Sequence, residues 1–405
     1  MQILILAAGE SSRFWPFSEV CHKSLLKIGN KTVLERVIDK LGEREIILVV
    51  NPKVSLPDSI KRRKNVVTVS QEEPKGMGDA IFKARNLIKD EFLVIMPYYI
   101  NINDVLSTAE KAKSPAVALK EYKEGDEKTH GIAAVKNGKI MEIREKEKFN
   151  GANYSIVGMY KLNKEMLSLL GDKTGVQYGF ESMLDKAAKG GRLGYFNAVK
   201  TPSLKYVTDL LSFRDYVYAD IKKEGETKGR IYGKNVFVEK SAVMGKNVRI
   251  GNNVSIKGRT CIGDNSFIGD NSLIRDSIIG ENVEIGFSAE IARSIIMDGT
   301  HMHSGFVGDS IIGENCRLGA NFITGNKRID RKSISIEIKS ERYDTGLARL
   351  GAVIGNNVKT GINSSTMPGT IIGNNSIIGS NTEVKNRIGS NRLVYSKSET
   401  VEKKL

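Results

Sequence analysis

The chain has little of what a disulfide-stapled or membrane-spanning protein needs. Its 405 residues include only three cysteines, an odd number without paired spacing, which argues against a disulfide framework and a cysteine-based zinc site. No apolar run approaches the ~18 residues that cross a bilayer, and the apolar start lacks the basic region of a signal peptide. We therefore expect a cytoplasmic protein without a membrane partner.

Aromatic residues are also scarce, at 7% with a single tryptophan. No stretch combines basic with aromatic residues and no nucleic-acid module occurs, so nucleic acid is not an expected partner. Lys and Arg number 62 and Asp and Glu 47, so the formal net charge is +15. This surplus suits small anionic partners such as nucleotides, sugar phosphates and coenzyme A. A lysine-rich solvated surface would have the same composition.

The first half of the chain alternates short apolar strands with helical segments. At this length we expect two or three domains, and the 40% of hydrophobic residues can fill their cores. Residues 2–6, 46–50 and 92–96 are apolar strands, and residues 33–41 have the apolar spacing of a helix. Strands separated by helices indicate a largely parallel sheet covered on both faces. We assign residues 1–225 to this Rossmann-like α/β domain.

From residue 231 onward the apolar residues repeat every six positions. The period is neither helical nor typical of hairpins, and it predicts stacked coils with flat sides and sharp corners. Gly and Asn tolerate the positive φ that such corners need. We assign residues 231–390 to this all-β solenoid, residues 326–350 to an inserted arm that lacks the period, and residues 391–405 to a polar tail. The clearest run of the period is Val238, Met244, Ile250, Ile256, Ile262, Ile268 and Ile274.

A Gly/Ser-rich loop, residues 6–16, follows the first strand. Backbone N–H groups of such a loop can approach phosphate oxygens, and Arg13 and Lys23 add positive charge. A second segment places Gln71 five residues before Gly76. The loop and this segment together resemble the sugar-1-phosphate nucleotidyltransferases.

That resemblance covers residues 1–220 and implies both a reaction and a site. In the family's reaction, a sugar phosphate oxygen attacks the α-phosphorus of a nucleoside triphosphate and pyrophosphate leaves. The protein mainly positions the substrates and neutralises charge. The resemblance implies that Gly9, Arg13 and Lys23 hold the triphosphate, that Ala8 also binds the nucleotide, and that Arg13 and Lys23 are catalytic. The other implied residues are Gln71 and Gly76 for the base, and Gly131, Glu145 and Asn153 for the sugar.

The second half resembles a different family, the left-handed β-helix acetyltransferases with hexapeptide repeats. The segments that carry this resemblance are residues 301–309 and 318–320, followed by Asn326. It implies that the solenoid is left-handed, that His303 is the general base, and that the backbone N–H of Ala320 stabilises an oxyanion. Glu290 and Asn326 would orient the sugar. A histidine with a pKa near ~6.5 can accept a proton from an amine at neutral pH.

Together the two halves resemble the bifunctional N-acetylglucosamine-1-phosphate uridylyltransferase / glucosamine-1-phosphate acetyltransferase family, especially its archaeal members. The resemblance implies an enzyme of nucleotide-sugar biosynthesis. Its substrates would be a nucleoside triphosphate with a sugar-1-phosphate, and acetyl-coenzyme A with an amino-sugar phosphate. It also implies a homotrimer with the acetyl site between subunits.

Several positions depart from the families' patterns. Tyr98 and Ser203 stand where the nucleotidyltransferases place Mg²⁺-binding aspartates, and neither is the carboxylate that a hard cation prefers. Mg²⁺ is therefore expected, but its ligands are unassigned. Ser11 replaces a loop glycine, Phe306 replaces a tyrosine and Ala292 replaces a lysine. An alternative is a catalytically weakened homologue that binds nucleotide sugar and regulates or scaffolds an active partner.

Overall fold

The structure, a computed structural model, describes residues 1–128, 130–147, 149–171, 178–198, 202, 204–224 and 231–404. The chain divides into two compact units. We call Met1–Glu10 with Val33–Ser203 the sheet unit, and Ser11–Thr32 with Leu204–Leu405 the coil unit. The predicted domain division near residue 225 falls on residues 225–230, which lie outside the described residues, and it stays a prediction.

Among the described residues, eleven strands precede the solenoid, and all but β2 and β3 belong to the sheet unit. They are β1 (Gln2–Ala7), β2 (Lys27–Ile28), β3 (Lys31–Thr32), β4 (Ile46–Val50), β5 (Val66–Ser70), β6 (Phe92–Ile95), β7 (Ala116–Glu121), β8 (Gly131–Lys136), β9 (Lys139–Glu145), β10 (Tyr154–Leu162) and β11 (Gly194–Asn197).

The described α-helices are seven, and α7 lies in the coil unit. They are α1 (Val33–Leu41), α2 (Asp58–Lys61), α3 (Met77–Lys83), α4 (Asn103–Lys111), α5 (Lys164–Leu170), α6 (Gly179–Lys189) and α7 (Leu210–Glu224). One-turn 3₁₀ helices occur at Ser12–Phe14, Phe17–Glu19, Lys23–Leu25, Arg85–Leu87, Asp126–Lys128 and Val207–Asp209.

The sheet unit is built on one mixed sheet in the order β11-β7-β10-β6-β1-β4-β5, with β8 and β9 joined through β10. Strands β1, β4, β5 and β6 are parallel, whereas β10 runs antiparallel to β6 and β7. The sequence predicts a largely parallel sheet, and the observed sheet is parallel across β6, β1, β4 and β5. There, all five residues of β4 are buried, as expected for a strand covered on both faces. Helix α1 buries its apolar stripe against this unit.

The coil unit is a left-handed β-helix with three parallel sheets, as the sequence predicts. Each sheet takes every third strand, so one full coil uses three six-residue sides. The inward residues are buried: Ile256, Ile268 and Ile274 are each 0% exposed. Asparagines turn many corners with positive φ, and their amides form ladders along the stack, for example Asn253 Nδ2 to Asn271 Oδ1 at 3.0 Å.

The remaining strands are short. They are β12 (Ile231–Tyr232), β13 (Phe237–Val238), β14 (Val243–Met244), β15 (Arg249–Ile250), β16 (Ser255–Lys257), β17 (Cys261–Ile262), β18 (Phe267–Ile268), β19 (Leu273–Arg275), β20 (Ile278–Ile279), β21 (Glu284–Ile285), β22 (Ala289–Ala292), β23 (Ile295–Ile296), β24 (His301–Met302), β25 (Gly305–Gly308), β26 (Ile311–Ile312), β27 (Arg317–Leu318), β28 (Phe322–Thr324), β29 (Ser335–Ile338), β30 (Glu341–Asp344), β31 (Ala352–Ile354), β32 (Lys359–Thr360), β33 (Ser365–Thr366), β34 (Thr370–Ile372), β35 (Ile377–Ile378), β36 (Glu383–Val384), β37 (Arg387–Ile388) and β38 (Leu393–Val394).

The predicted arm contains an antiparallel hairpin of β29 and β30, which takes no part in the three solenoid sheets. Ile334 and Ile336 at its start are 1% and 2% exposed, so the hairpin is packed rather than free. In the described part of the chain, no helix has the length and apolar character needed to cross a membrane.

Candidate active sites

The carboxyl ends of β1, β5 and β6 lie at one edge of the sheet, where open α/β sheets bind ligands. Ala8 and Gly9 continue β1 at this edge. A Cβ added at Gly9 would meet no atom within 4 Å. The loop therefore leaves open space beside its backbone, which is what close approach of a phosphate requires.

The two residues predicted to read the base lie together. Gln71 directly follows β5 and is 3% exposed. Its Nε2 donates to the Gly76 carbonyl at 3.2 Å and to Asp79 Oδ2 at 2.7 Å. Gly76 has φ +98°, a conformation that side chains rarely adopt, and it precedes α3. The contact fixes the shape of this loop, and base reading by either residue stays a prediction.

Tyr98 follows β6 at the same edge and is half-buried. Its ring lies edge-on to the Tyr99 ring, with 5.1 Å between centroids, and the Tyr99 hydroxyl donates to the Val157 carbonyl. Ser203 lies outside the described residues. Within the described ranges, no group of three or more His, Cys, Asp or Glu side chains could hold a metal ion. Mg²⁺ can be held by one or two carboxylates together with substrate phosphates, so its ligands in this site stay unassigned.

Of the predicted sugar residues, two face each other. Gly131 pairs with Glu145 across β8 and β9, and a Cβ at Gly131 would lie 2.8 Å from Glu145 Oε2. A side chain at position 131 would therefore displace the Glu145 carboxylate. Asn153 instead binds the edge of β8: its Oδ1 accepts from the Val135 N–H at 2.8 Å and its Nδ2 donates to the Val135 carbonyl at 2.9 Å.

A second carboxylate near Glu145 was not predicted from the sequence. Glu181 lies on α6, and burial raises its pKa, with Lys146 acting in the opposite direction. Burial, with the charges of Glu181 and Glu145, also holds the pKa of the buried Tyr160 well above its usual value. The two carboxylates thus share one neighbour, although they are 36 positions apart in the sequence and no motif joins them.

Arg13 and Lys23 belong to the coil unit. The Lys23 ammonium donates to the Leu204 carbonyl at 2.6 Å, and its backbone N–H donates to Ser11 Oγ at 3.2 Å. Burial lowers the pKa of Lys23 to about 8, with the nearby Asp209 carboxylate opposing the shift. The Arg13 guanidinium is exposed and lies 5.5 Å from the centre of the Tyr206 ring.

The Asp209 carboxylate, close to Lys23, is already engaged. Its Oδ2 accepts from the backbone N–H groups of Lys205 at 2.6 Å and Tyr206 at 2.9 Å. Burial raises its pKa, although these two hydrogen bonds and the Lys23 charge oppose the rise. The contact with Tyr206 caps the 3₁₀ helix Val207–Asp209, which directly precedes α7.

In the second predicted site, His303 and Ala320 lie at one corner of the β-helix. His303 is exposed, and its backbone N–H donates to the Leu318 carbonyl at 2.9 Å. One residue further along each coil, the Asn321 N–H donates to Ser304 Oγ at 3.0 Å. Among the residues that the structure describes, neither the His303 imidazole nor the Ala320 N–H has a hydrogen-bond partner.

Glu290 and Asn326 lie on the neighbouring side, each held by a charged group. Glu290 pairs with Phe306 on the next coil and accepts from Arg275 Nη2 at 2.6 Å. Asn326 Nδ2 donates to Asp309 Oδ2 at 2.6 Å.

Arg275 and an ion pair of Asp309 with Arg293 complete this site and were not predicted. Arg293 donates two hydrogen bonds to the Asp309 carboxylate, from Nε to Oδ1 and from Nη2 to Oδ2, each at 2.7 Å. The sequence does carry a signal for the pair: both residues stand at positive-φ corners that asparagine or glycine usually occupies.

These two units define a class: a nucleotidyltransferase fused to a hexapeptide-repeat acyltransferase. The Nucleotidyl transferase family model matches residues 2–196. The model of the bacterial transferase hexapeptide (six repeats) matches residues 241–276 and 351–386, and that of the hexapeptide repeat of succinyl-transferase matches residues 310–325.

Full-length relatives carry the same combination. The chain is 38% identical to the bifunctional protein GlmU of Methanococcus maripaludis strain C7, covering 99% of this chain and 98% of the relative. It is 34% identical to that of Methanocaldococcus jannaschii over 100% of both chains. It is 30% identical to the bifunctional sugar-1-phosphate nucleotidylyltransferase/acetyltransferase of Sulfurisphaera tokodaii, over 92% and 94% of the two chains. A solved structure, UTP-bound UGPase from Acinetobacter baumannii, matches 55% of this chain and 93% of its own with 17% identity and a TM-score of 0.47.

The chain belongs to the GlmU-type family of bifunctional sugar-1-phosphate nucleotidyltransferase/acetyltransferases. It is therefore an enzyme of nucleotide-sugar biosynthesis. The family implies a divalent metal and acetyl-coenzyme A.

Proposed function

We propose that the coil unit transfers the acetyl group of acetyl-coenzyme A to the amine of an amino-sugar phosphate of the glucosamine-1-phosphate type. The placement of His303 carries this proposal: an exposed imidazole without a described partner stands beside the Ala320 N–H. The amine attacks the thioester carbon, its proton passes to the imidazole, and coenzyme A leaves as the thiol. The Ala320 N–H faces the charge that develops on the carbonyl oxygen.

Glu290 and Asn326 would orient the sugar in this site. Their own contacts, to Arg275 and Asp309, hold the two side chains in fixed directions. We also propose a homotrimer in the cytoplasm, in which a second copy of the chain completes the site. The outer faces of the coils support association, because Phe237 and Ile323 on one sheet are 53% and 46% exposed.

We also propose nucleotidyl transfer from a nucleoside triphosphate to a hexose-1-phosphate, of the type that yields UDP-N-acetylglucosamine. The open loop at Gly9 and the two cations support phosphate binding. Gln71 and Gly76 would contact the base, and Gly131, Glu145 and Asn153 the sugar. A purely regulatory role is not favoured, because the relatives that match the full chain are named bifunctional enzymes.

The acetyl site is tested by thiol release from acetyl-coenzyme A with glucosamine-1-phosphate. His303→Ala should lower turnover by about 10²–10⁴ because the general base is lost. His301→Ala is the control, since His301 is a partly exposed histidine two residues away that pairs with Glu284 at 3.1 Å. Equal turnover in the wild type and the His303 variant would remove His303 from the reaction. Pyrophosphate release with each nucleoside triphosphate and a panel of hexose-1-phosphates tests the other half.

A further inference from the structure

One corner of the β-helix carries a ladder of side-chain oxygens. At this corner, a side-chain oxygen accepts the backbone N–H of the equivalent residue one coil earlier. Asp298 Oδ1 accepts from Glu281 at 2.8 Å, Asn374 Oδ1 accepts from Asn356 at 2.8 Å, and Ser390 Oγ accepts from Asn374 at 3.1 Å. We call this column, from Glu281 to Ser390, the ladder corner.

The segment Ser11–Thr32 is fastened to the ladder corner at two places. At one, Lys27 Nζ lies 2.7 Å from Glu281 and 2.8 Å from Asp298. At the other, Asn374 Nδ2 donates to the Pro16 carbonyl at 2.8 Å and to Glu19 Oε2 at 2.9 Å.

The second fastening has further contacts. Ser390 Oγ donates to Glu19 at 2.6 Å, and Trp15 Nε1 donates to the same carboxylate at 2.7 Å. The Arg387 guanidinium lies 3.9 Å from the centre of the Trp15 ring. The same segment contains Arg13 and Lys23, one on each side of this anchored stretch.

Asn374 is the buried member of this fastening, at 4% exposed. Its oxygen performs the ladder contact, a task that a carboxylate performs equally well at Asp298. Its amide nitrogen is the atom that reaches the segment. A carboxylate at 374 would keep the ladder but would face the Glu19 carboxylate and lose both donors. The choice of asparagine here is therefore explained by the segment and not by the coil.

We propose that Asn374 is a positioning residue for nucleotide binding: it fixes the segment Ser11–Thr32 on the β-helix and so sets the places of Arg13 and Lys23. The proposal rests on the phosphate-binding role proposed above for these two cations. It makes the last coils of the β-helix part of the machinery for triphosphate recognition, although no residue of those coils needs to touch the nucleotide.

Asn374→Asp in the full-length protein tests the proposal, with calorimetric affinity for UTP and for inorganic tripolyphosphate as the readout. Tripolyphosphate makes the result independent of the base. Affinity should fall about tenfold for both probes, since two hydrogen bonds are lost and like charges meet. Adding Glu19→Gln should restore most of it, because the new amide can donate to the new carboxylate. Acetyl transfer should be unchanged in both variants.

Asn252→Asp is the matched control. Asn252 Oδ1 accepts the Lys234 N–H at 2.8 Å, and Asn252 Nδ2 donates to Asp270 Oδ2 at 3.1 Å. The substitution therefore removes the same kind of amide donor to a carboxylate, in an equivalent ladder contact that does not involve the segment Ser11–Thr32. Triphosphate affinity should stay as in the wild type. If Asn374→Asp lowers the unfolding temperature substantially, Lys27→Met tests the other fastening with the same readout.

Arg13→Ala separates the two ways in which the inference could fail. Weaker triphosphate binding in Arg13→Ala with unchanged binding in Asn374→Asp and Lys27→Met refutes the positioning role alone. Unchanged binding in Arg13→Ala as well refutes the proposed phosphate role of the segment, and the inference with it. A loss in Asn374→Asp that Glu19→Gln fails to restore, accompanied by an equal loss of acetyl transfer, would indicate general damage to the coils and also refute it.

Discussion

Replacing Lys23 by methionine should stabilise the coil unit at neutral pH. Burial lowers the pKa of the Lys23 ammonium from 10.5 to about 8, despite the nearby Asp209 carboxylate. At 1.36 kcal/mol per pH unit, that difference means that the charged form costs about 3 kcal/mol in the folded state. Methionine keeps most of the apolar stem and loses one hydrogen bond to the Leu204 carbonyl, worth about 1 kcal/mol. The net expectation at pH 7 is a variant more stable by about 2 kcal/mol.

The sign of the pH dependence is fixed by the direction of the shift. Between pH 8 and 10.5 the unfolded chain holds the Lys23 proton and the folded chain does not, so wild-type stability rises with pH in this window. The variant has no such group. Its advantage of about 2 kcal/mol should therefore shrink above pH 8 and reverse by about 1 kcal/mol near pH 10.5.

Urea unfolding followed by tryptophan fluorescence measures this directly, because the only tryptophan, Trp15, lies in the same segment. Lys27→Met is the matched control with the opposite sign. Burial opposes its charge, but the hydrogen bonds that the Lys27 ammonium donates to Asp298 and Glu281 prevail and raise the pKa of Lys27, so its removal should destabilise the protein at pH 7. A stability difference between wild type and Lys23→Met that stays constant from pH 7 to 10.5 would refute the reasoning.

Two further changes test the metal ligands and the ion pair of Asp309 with Arg293 beside the predicted acetyl site. Tyr98→Asp together with Ser203→Asp should raise Mg²⁺-dependent pyrophosphate release if missing carboxylates limit nucleotidyl transfer; Tyr98→Phe serves as control, and no gain would show that any metal is held elsewhere. Asp309→Ala should lower the free energy of unfolding by about 2 kcal/mol in urea titrations, because it leaves the partly buried Arg293 guanidinium without its bidentate partner. Asp309→Ala combined with Arg293→Met should recover part of the loss, and no recovery would contradict that cause.

The sequence predicts the coils well because their information is local. Each six-residue side repeats its own apolar position and its own corner residue, so the period alone determines which side chains face inward. The positive φ of corner residues such as Asn253 and Asn271 follows from the same repeat. The pair Gln71 and Gly76 is also predictable, since five positions separate two residues of one loop.

The attachment of the segment Ser11–Thr32 to the coils could not be predicted from such patterns. The contact of Asn374 with Pro16 joins residues 358 positions apart, and an asparagine in a corner motif looks like any other corner residue. Glu181 could not be predicted as a site residue for a related reason. Its burial depends on how α6 packs, and the neighbouring residues in the sequence do not indicate that burial. Long-range proximity of charged groups is a property of packing that a period or a motif does not contain.

Ser11 shows why a departure from a motif has to be judged on the backbone. As a replacement for glycine, its side chain is expected to narrow the approach to phosphate. In the structure Ser11 has φ +55°, a left-handed conformation that glycine adopts at little cost and serine does not. The Ser11 hydroxyl compensates, because it accepts the backbone N–H of Lys23 at 3.2 Å and so ties the loop to the segment's second cation. Glycine at position 11 would relieve the backbone strain but would lose the hydrogen bond to the Lys23 N–H. Serine therefore keeps Lys23 in a fixed position at the cost of a strained loop backbone.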